Sequence, residues 1–171
     1  GEGAPNFSVG FILDDMELSG LGMLGNLFDL NQIEVFRGPM SSVFGTNSLA
    51  GLISLRSNNP GDTLRLESLL SGGTDNYLSL GTMLNLPINN KLQFRFSGSI
   101  LQSDGFRHNK FRESSDSNKK DEQFIRVKFN YKPLKNFKVL GTLIYAELDN
   151  GYDSWAPDNN TDYHTYSDDN G

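Results

Sequence analysis

Cysteine is absent from the 171-residue sequence, and histidine occurs twice, at His108 and His164. The missing thiols exclude a disulfide scaffold, a zinc ribbon and thiol catalysis. Two histidines leave little material for a histidine-rich metal site or a Ser-His-Asp triad. Long apolar runs are also missing, since no stretch approaches the roughly 18–20 residues of a membrane-spanning helix. We therefore expect no enzyme, no resident metal ion and no cofactor.

Basic residues are outnumbered, with 15 Lys and Arg against 21 Asp and Glu. The imbalance lies in residues 147–171, which hold seven acids and no Lys or Arg. A nucleic-acid-binding face needs clustered positive charge, so nucleic acid is not an expected partner. An acidic stretch of this kind is typical of a solvated loop. The polar ends of the sequence favour a piece of a longer protein.

Residues 1–62 are rich in glycine and contain short apolar runs. A helical turn through Phe44 is possible after Pro39, because proline suits the first position of a helix. The Asn58-Asn59-Pro60-Gly61 sequence is a strong turn and a plausible boundary. The apolar runs predict strands at 9–13, 32–36 and 50–55 and a short helix at 23–30.

Two motif matches carry little weight. Gly20, Gly22 and Gly25 fit the dinucleotide pattern G-x-G-x-x-G, but no acidic residue follows at the required distance of about 20 residues. Asp158, Asn160 and Asp162 match part of a calcium loop, but Tyr163 stands where glycine is needed. We keep weak calcium binding as an alternative reading of that loop.

From Thr63 onward the apolar residues alternate with polar ones. Strict alternation is typical of strands with one wet and one apolar face. The five predicted strands are about 9–11 residues long, the length that crosses a bilayer when tilted. The predicted apolar face consists of Leu64, Leu66, Leu78, Leu80, Leu84, Leu86, Leu92, Phe94, Phe96, Ile100, Ile125, Val127, Phe129, Phe137, Val139 and Leu143. The predicted polar face includes Arg65, Glu67, Gln93, Arg95, Arg126 and Lys128.

The connections between these strands are sorted by length. Residues 87–90 and 133–136 are short turns, whereas residues 103–121 and 147–171 are long and polar. Short turns on one side and longer loops on the other are the layout of an outer-membrane β-barrel. Tyr131 and Tyr145 are then expected near opposite membrane interfaces. A soluble β-sandwich remains the alternative on periodicity alone.

One segment resembles a known family. Residues 33–39 read Ile-Glu-Val-Phe-Arg-Gly-Pro and continue through an aromatic-glycine pair, Phe44-Gly45, to a strand that begins Ala50-Gly51-Leu52-Ile53. This run resembles the C-terminal part of the plug domain of TonB-dependent outer-membrane receptors, although Leu52 stands where that family usually has a second glycine. Residues 9–16 look like an earlier plug strand of the same family.

The resemblance implies a mainly β fold, as a fragment of a plugged transmembrane β-barrel of about 22 antiparallel strands. It implies a small α+β plug part in residues 1–62 and the first five barrel strands in residues 63–171. The family's plug arginine pairs with glutamates of the barrel wall, which points to Arg37 and to barrel strands beyond residue 171. The plug-motif residues carried over are Glu34, Arg37, Gly38, Pro39, Gly45 and Gly51.

By resemblance, the function is energy-coupled uptake of a scarce ligand across the outer membrane of a Gram-negative bacterium. The implied partners are the TonB energy-coupling complex, whose contact segment is expected upstream of residue 1, outer-membrane lipid, and a small ligand such as a ferric siderophore. Cobalamin and glycans are rival ligands. A surface barrel without energy coupling and a soluble β-rich binding module are the alternatives from other classes. Tyr152 and Trp155 are the candidate ligand contacts, because aromatic side chains combine rigid area with a polar group.

Overall fold

The structure is a computed structural model of residues 1–171, and it describes residues 8–19, 26–39, 48–151 and 164–165. About 65% of the residues in these ranges are in strands, and almost none of them is helical. No helix in the described ranges is long and apolar enough to cross a membrane. The strands are β1 Val9–Leu13, β2 Met16–Glu17, β3 Leu30–Arg37, β4 Gly51–Ser57, β5 Arg65–Gly72, β6 Leu78–Asn89, β7 Leu92–Ser103, β8 His108–Asn109, β9 Lys120–Leu134, β10 Phe137–Leu148 and β11 His164–Thr165.

The chain divides into two compact units, Gly1–Asn59 and Pro60–Gly171. The division falls within residues 58–61, where the sequence predicts a turn and the structure has irregular backbone. In the first unit, four strands form one sheet in the order β2-β1-β4-β3, with β1 parallel to β4 and β3 antiparallel to it. The strands predicted at 9–13, 32–36 and 50–55 are confirmed as β1, β3 and β4, with shifted ends for the last two.

The turn between β1 and β2 explains how the first unit reverses direction. Asp14 and Asp15 both have positive φ, at 49° and 67°, as a two-residue type I′ hairpin requires. The Asp14 carboxylate accepts hydrogen bonds from the Ser57 backbone N–H at 2.8 Å and from its hydroxyl at 2.5 Å. The turn is therefore tied to the end of the central strand β4.

The short helix predicted at residues 23–30 is wrong at its C-terminal end. Leu30 begins β3, and Phe28 and Asp29 form a turn. The Asn26 side chain accepts a hydrogen bond from the Phe28 N–H at 2.7 Å, and Asp29 has a positive φ of 58°. Local capping by Asn and a left-handed residue both compete with helix formation. The helical turn predicted at residues 39–44 lies mostly outside the described residues.

In the second unit, five antiparallel strands form a sheet in the order β10-β9-β7-β6-β5. Two-residue turns at 90–91 and 135–136 lie at one edge, which we call the turn edge. The longer connections at 73–77 and 104–119, and the chain after Leu148, lie at the other, which we call the loop edge. The predicted sorting of connections by length is thus confirmed.

Four of these strands are longer than the predicted 9–11 residues. β6, β7 and β10 have 12 residues each and β9 has 15, whereas β5 has 8. Alternation in the sequence fades where polar residues appear on both faces, but backbone pairing continues. At the loop edge, for example, Ser103 still pairs with Lys120.

Candidate functional site

The pairing register separates the two faces of the five-stranded sheet. Its central apolar row crosses all five strands, because each residue is the ladder partner of the next. The members of that row are Leu66, Leu84, Phe96, Val127 and Leu143. Leu64 precedes β5, but all the other residues predicted for the apolar face have the parity of this row, and those predicted for the polar face have the opposite parity. The predicted division into two faces is therefore confirmed.

Exposure on this sheet is reversed relative to a water-soluble sheet. Leu143 is 74% exposed on the apolar face, whereas Arg126 and Lys128 on the polar face are only 1% and 3% exposed. Arg126 has an aromatic neighbour, since its guanidinium carbon lies 5.6 Å from the centre of the Phe124 ring, a distance at which a cation is attracted to the ring face. The geometry fits a sheet whose apolar face meets a nonaqueous medium.

Buried amides complete the polar face. Asn130 donates a hydrogen bond to the Gln93 side chain at 2.8 Å, and Gln93 donates to the Asn89 carbonyl at 3.1 Å. Asn85 donates to the Thr63 carbonyl at 2.6 Å and accepts from the Gly61 N–H at 2.9 Å. Because buried polar groups are costly when unpaired, these bonds keep the polar face stable away from water.

The aromatic boundaries of the apolar face are well separated. Tyr131 is the ladder partner of Val139, and Tyr145 lies six residues further along β10. At about 3.4 Å per residue, the two tyrosine rows are about 20 Å apart along the strand. Glu147 follows on the same face beyond Tyr145 and accepts a hydrogen bond from its hydroxyl at 2.7 Å. The apolar band therefore ends at a polar boundary on the loop edge.

The plug-motif residues lie on the β3–β4 pair of the first unit. Arg37 is the ladder partner of Gly51, and the Gly38 N–H donates to the Ala50 carbonyl at 3.1 Å. Arg37 and Pro39 are exposed, and Glu34 is half-buried. Glu34 and Arg37 have opposite parity on β3, so their side chains lie on opposite faces of the strand. Gly45 lies outside the described residues.

Gly51 has a clear structural requirement. A Cβ atom built on this residue would lie 2.6 Å from the Phe36 carbonyl oxygen, a distance that real Cβ atoms do not reach. The close approach of β3 to β4 therefore demands glycine here. Gly38 has a φ of 97°, which favours glycine for conformational reasons. The motif is thus a backbone feature, with Arg37 as its exposed charge.

Arg37 shares its face of β3 with two exposed apolar residues, Ile33 and Val35. Within the described ranges, Arg37 has no carboxylate partner. The glutamates that the family resemblance implies for it were expected beyond residue 171. Its role as an ion-pairing residue stays a prediction.

At the loop edge, the connections are tied to one another. The Asp104 N–H donates to the Asp75 carbonyl at 2.9 Å, and the Asn76 amide donates to the Asp104 carboxylate at 2.5 Å. Lys119 forms an ion pair with Asp149 at 3.0 Å, and the Gly151 N–H donates to the Lys119 carbonyl at 2.9 Å. Successive connections are therefore held side by side.

Residues 106–112 contain aromatic and basic residues that sequence reasoning did not single out. Phe106 and Phe111 are exposed, and the Arg107 guanidinium carbon lies 5.2 Å from the centre of the Phe106 ring. Lys110 and Arg112 add two more positive charges, and the segment has no acid. The sequence pattern Phe-Arg-His-Asn-Lys-Phe-Arg could have indicated this surface. The predicted contacts Tyr152 and Trp155 lie outside the described residues.

Several outer-membrane transporters are similar to the chain in sequence or in structure, although no family model matches it. The vitamin B12 transporter BtuB of Vibrio vulnificus strain YJ016 is 31% identical over 90 residues, which are 53% of this chain and 15% of that transporter. The pyoverdine outer membrane receptor FpvA of Pseudomonas aeruginosa PAO1, bound to pyoverdine, superposes with a TM-score of 0.69 at 14% identity, over 84% of this chain and 21% of that receptor. The ferric-catecholate import receptor Fiu of E. coli K12 gives a TM-score of 0.63 at 14% identity, over 82% of this chain and 20% of that receptor.

The fold of the chain matches a part of the fold of the TonB-dependent outer-membrane receptors. This agrees with the resemblance found in residues 33–55. The chain spans about a fifth of the length of these receptor structures. The TonB-dependent relatives are transporters and receptors. Within the described residues, no group of three or more His, Cys, Asp or Glu side chains is arranged to hold a metal ion.

Proposed function

We propose that this chain is part of an outer-membrane receptor that imports a scarce ligand by TonB-coupled transport, with a ferric siderophore as the favoured ligand. The observation that supports the proposal is the reversed five-stranded sheet, with its apolar band and its long connections at one edge. We further propose that residues 1–62 belong to the plug and residues 63–171 to the first five strands of the barrel. The apolar face then meets the lipid of a Gram-negative outer membrane.

In this proposal the loop edge faces outward and receives the ligand. The basic and aromatic residues at 106–112 favour an anionic metal chelate, because aromatic rings supply contact area and Arg and Lys supply complementary charge. Tyr152 and Trp155 remain candidate contacts on the next connection, where acids dominate. Arg37 is proposed to pair with glutamates of barrel strands outside these 171 residues.

A second candidate ligand is cobalamin, which the similarity to the vitamin B12 transporter of Vibrio vulnificus favours. One experiment distinguishes these two candidate ligands. The full-length receptor is expressed in a Gram-negative host without its own siderophore and cobalamin receptors, and accumulation of radioactive iron chelates and of radioactive cobalamin is measured. Accumulation of a ferric chelate that disappears when TonB is deleted, while surface binding persists, is the expected result. If only cobalamin accumulates, cobalamin is the imported ligand. If accumulation does not depend on TonB, the proposed energy coupling is wrong.

Two exposed phenylalanines provide a matched test of the loop edge. Phe111 is 64% exposed beside the basic residues, and Phe137 is 54% exposed at the turn edge. Phe111→Ala is expected to raise the ligand dissociation constant about tenfold, since interface aromatics often contribute more than about 1 kcal/mol. Phe137→Ala is expected to leave it unchanged. Equilibrium binding on whole cells measures both dissociation constants, and an equal change in the two variants would contradict ligand entry at the loop edge. Trp155→Ala extends the same test to the next connection.

A further inference from the structure

The two histidines of the chain lie side by side although they are far apart in sequence. β11 pairs with β8 in a parallel ladder, with His164 opposite His108 and Thr165 opposite Asn109. The imidazole centroids are 6.0 Å apart, and the ring planes meet at 77°. Directly paired residues in a ladder project to the same side of the sheet, so the two rings are presented together.

The backbone beneath this pair is firmly held. Asn109 and Thr165 are fully buried, and the Lys110 N–H donates to the Thr165 carbonyl at 2.9 Å. The Asn109 side-chain oxygen accepts hydrogen bonds from the Phe111 and Arg112 N–H groups, each at 2.9 Å. Two segments of the loop edge are thereby fixed against each other where the histidines meet.

The ring nitrogens have different surroundings. Nδ1 of His108 lies 3.1 Å from the Ser115 hydroxyl. Nδ1 of His164 is buried and has no hydrogen-bond partner within the described part of the chain. An unsatisfied buried polar atom is costly, and a bound ion would remove that cost by taking the nitrogen lone pair. Histidines that bind metal ions usually hold their second ring nitrogen in a hydrogen bond, as Ser115 does for His108.

We propose that His108 and His164 form a two-imidazole site for a borderline transition-metal ion such as Zn²⁺, Ni²⁺ or Cu²⁺. Imidazole is a preferred ligand of these ions, whereas Mg²⁺ and Ca²⁺ take oxygen ligands. Two protein ligands leave the remaining positions to water. The bound ion would tie the segment around His164 to the 104–119 connection. His108 lies within the 106–112 surface, but the proposal does not depend on which ligand the receptor imports.

The test uses the purified full-length receptor in detergent, with Cu²⁺ as a paramagnetic probe and Zn²⁺ in calorimetric titrations. In the wild type, the electron paramagnetic resonance spectrum of Cu²⁺ bound at this site is expected to show coupling to two imidazole nitrogens. His108→Gln and His164→Gln should each remove one nitrogen coupling and weaken Zn²⁺ binding at this site about tenfold or more. Glu113→Gln is the matched control, because it removes an exposed carboxylate from the same connection without touching either ring.

Several outcomes would overturn the proposal. The proposal is wrong if both glutamine variants bind Zn²⁺ as tightly as the wild type. If Glu113→Gln loses as much Zn²⁺ affinity as the glutamine variants of the histidines, the ion is bound by carboxylates instead. Unchanged heat-modifiable migration on gels verifies that each variant is folded. If the glutamine variants do not fold, Ser115→Ala provides a second test, since it keeps both imidazoles but should weaken binding about tenfold through lost orientation of His108. Unchanged affinity in Ser115→Ala would then count against the site.

Discussion

The two units of the chain differ in the side chains that dominate their buried positions, which are mostly apolar or serine in the first and mostly amide, cationic or hydroxyl in the second. In the first, the apolar residues Leu13, Leu52 and Leu55 are fully buried in the middle of a mixed sheet. In the second, Leu143 is exposed and Arg126 is buried. Burial of apolar area stabilises a sheet in water, so the first unit follows the ordinary rule. The second has the arrangement expected for a sheet whose apolar face meets lipid.

Apolar side chains avoid water in both units, but this one rule gives opposite arrangements because the two sheets suit different surroundings. An apolar surface as continuous as the row from Leu66 to Leu143 would drive association in water. In a bilayer the same surface costs nothing, whereas an unpaired charge on it would be expensive. Substitutions that should act differently in the two units test this contrast.

The largest expected effect comes from a charge on the apolar face. Leu143→Arg should destabilise the full-length receptor by about 2–4 kcal/mol, because arginine near the bilayer midplane loses its hydration. Equilibrium unfolding in guanidinium chloride of receptor refolded into lipid vesicles measures the change. A lower amount of receptor in the outer membrane should accompany it.

The neighbouring residue provides the control for that prediction. Thr142 lies on the polar face and is the ladder partner of Lys128. Thr142→Arg should cost less than about 1 kcal/mol, the usual scale for like charges on paired strands. If the two arginine variants lose the same stability, the assignment of the apolar face to lipid is wrong.

In the first unit, the expected sensitivity is to backbone geometry. Gly51→Ala forces a Cβ atom toward the Phe36 carbonyl, so β3 must move away from β4. We expect a loss of about 1–3 kcal/mol, typical of steric strain at a special backbone position. Faster proteolysis of this unit in the full-length receptor, with unchanged unfolding of the barrel, is the measurement.

A glycine with free space around it tests whether the cost comes from that contact. A Cβ atom at Gly61 would meet only the Asn85 side-chain nitrogen, at 3.9 Å. Gly61→Ala should change stability by no more than about 0.5 kcal/mol. Comparable losses in both variants would mean that close approach of β3 and β4 is not what requires glycine.

Much of the sheet was predictable because period-two alternation has one physical cause. Successive side chains of a strand point to opposite faces, and each face of this sheet suits a different environment. The sequence pattern alone therefore assigns Arg95 and Phe96 to opposite faces. Strand ends were less predictable, because backbone pairing at Ser103 and Lys120 continues where the side-chain pattern stops. The helix predicted at residues 23–30 failed at Leu30, because the Asn26 cap and the left-handed Asp29 act locally and override apolar spacing.

The candidate sites were harder to predict, since they depend on contacts between distant segments. The Gly51 requirement follows from its close approach to the Phe36 carbonyl oxygen on the paired strand, and the family motif pointed to Gly51 in advance. The pairing of His108 with His164 could not be read from the sequence, because it rests on a two-residue parallel ladder between separate connections. Phe111 was missed for a simpler reason, since an exposed aromatic residue in a polar loop has no periodic pattern around it.

The smallest expected effect concerns the ion pair that joins two connections at the loop edge. The hydrogen bond and the charge of Asp149 raise the pKa of the Lys119 ammonium above its ordinary value of 10.5. A raised pKa means that this contribution to stability is complete below the unfolded-state value. It is lost as the pH rises through the higher folded-state value, so it is constant at neutral pH.

Asp149→Ala removes both the hydrogen bond and the charge and should return the pKa of Lys119 toward 10.5. A lower pKa leaves more free amine at any alkaline pH, so Lys119 should react faster with an acetylating reagent. Competitive labelling at about pH 9, with peptide mass spectrometry, measures that rate against Lys135 in the turn at 135–136, which lies at the opposite edge of the sheet. The rate at Lys135 should stay the same. An unchanged rate at Lys119 would mean that Asp149 does not hold this lysine in solution, and that the connections are joined there by backbone bonds such as Gly151 to Lys119.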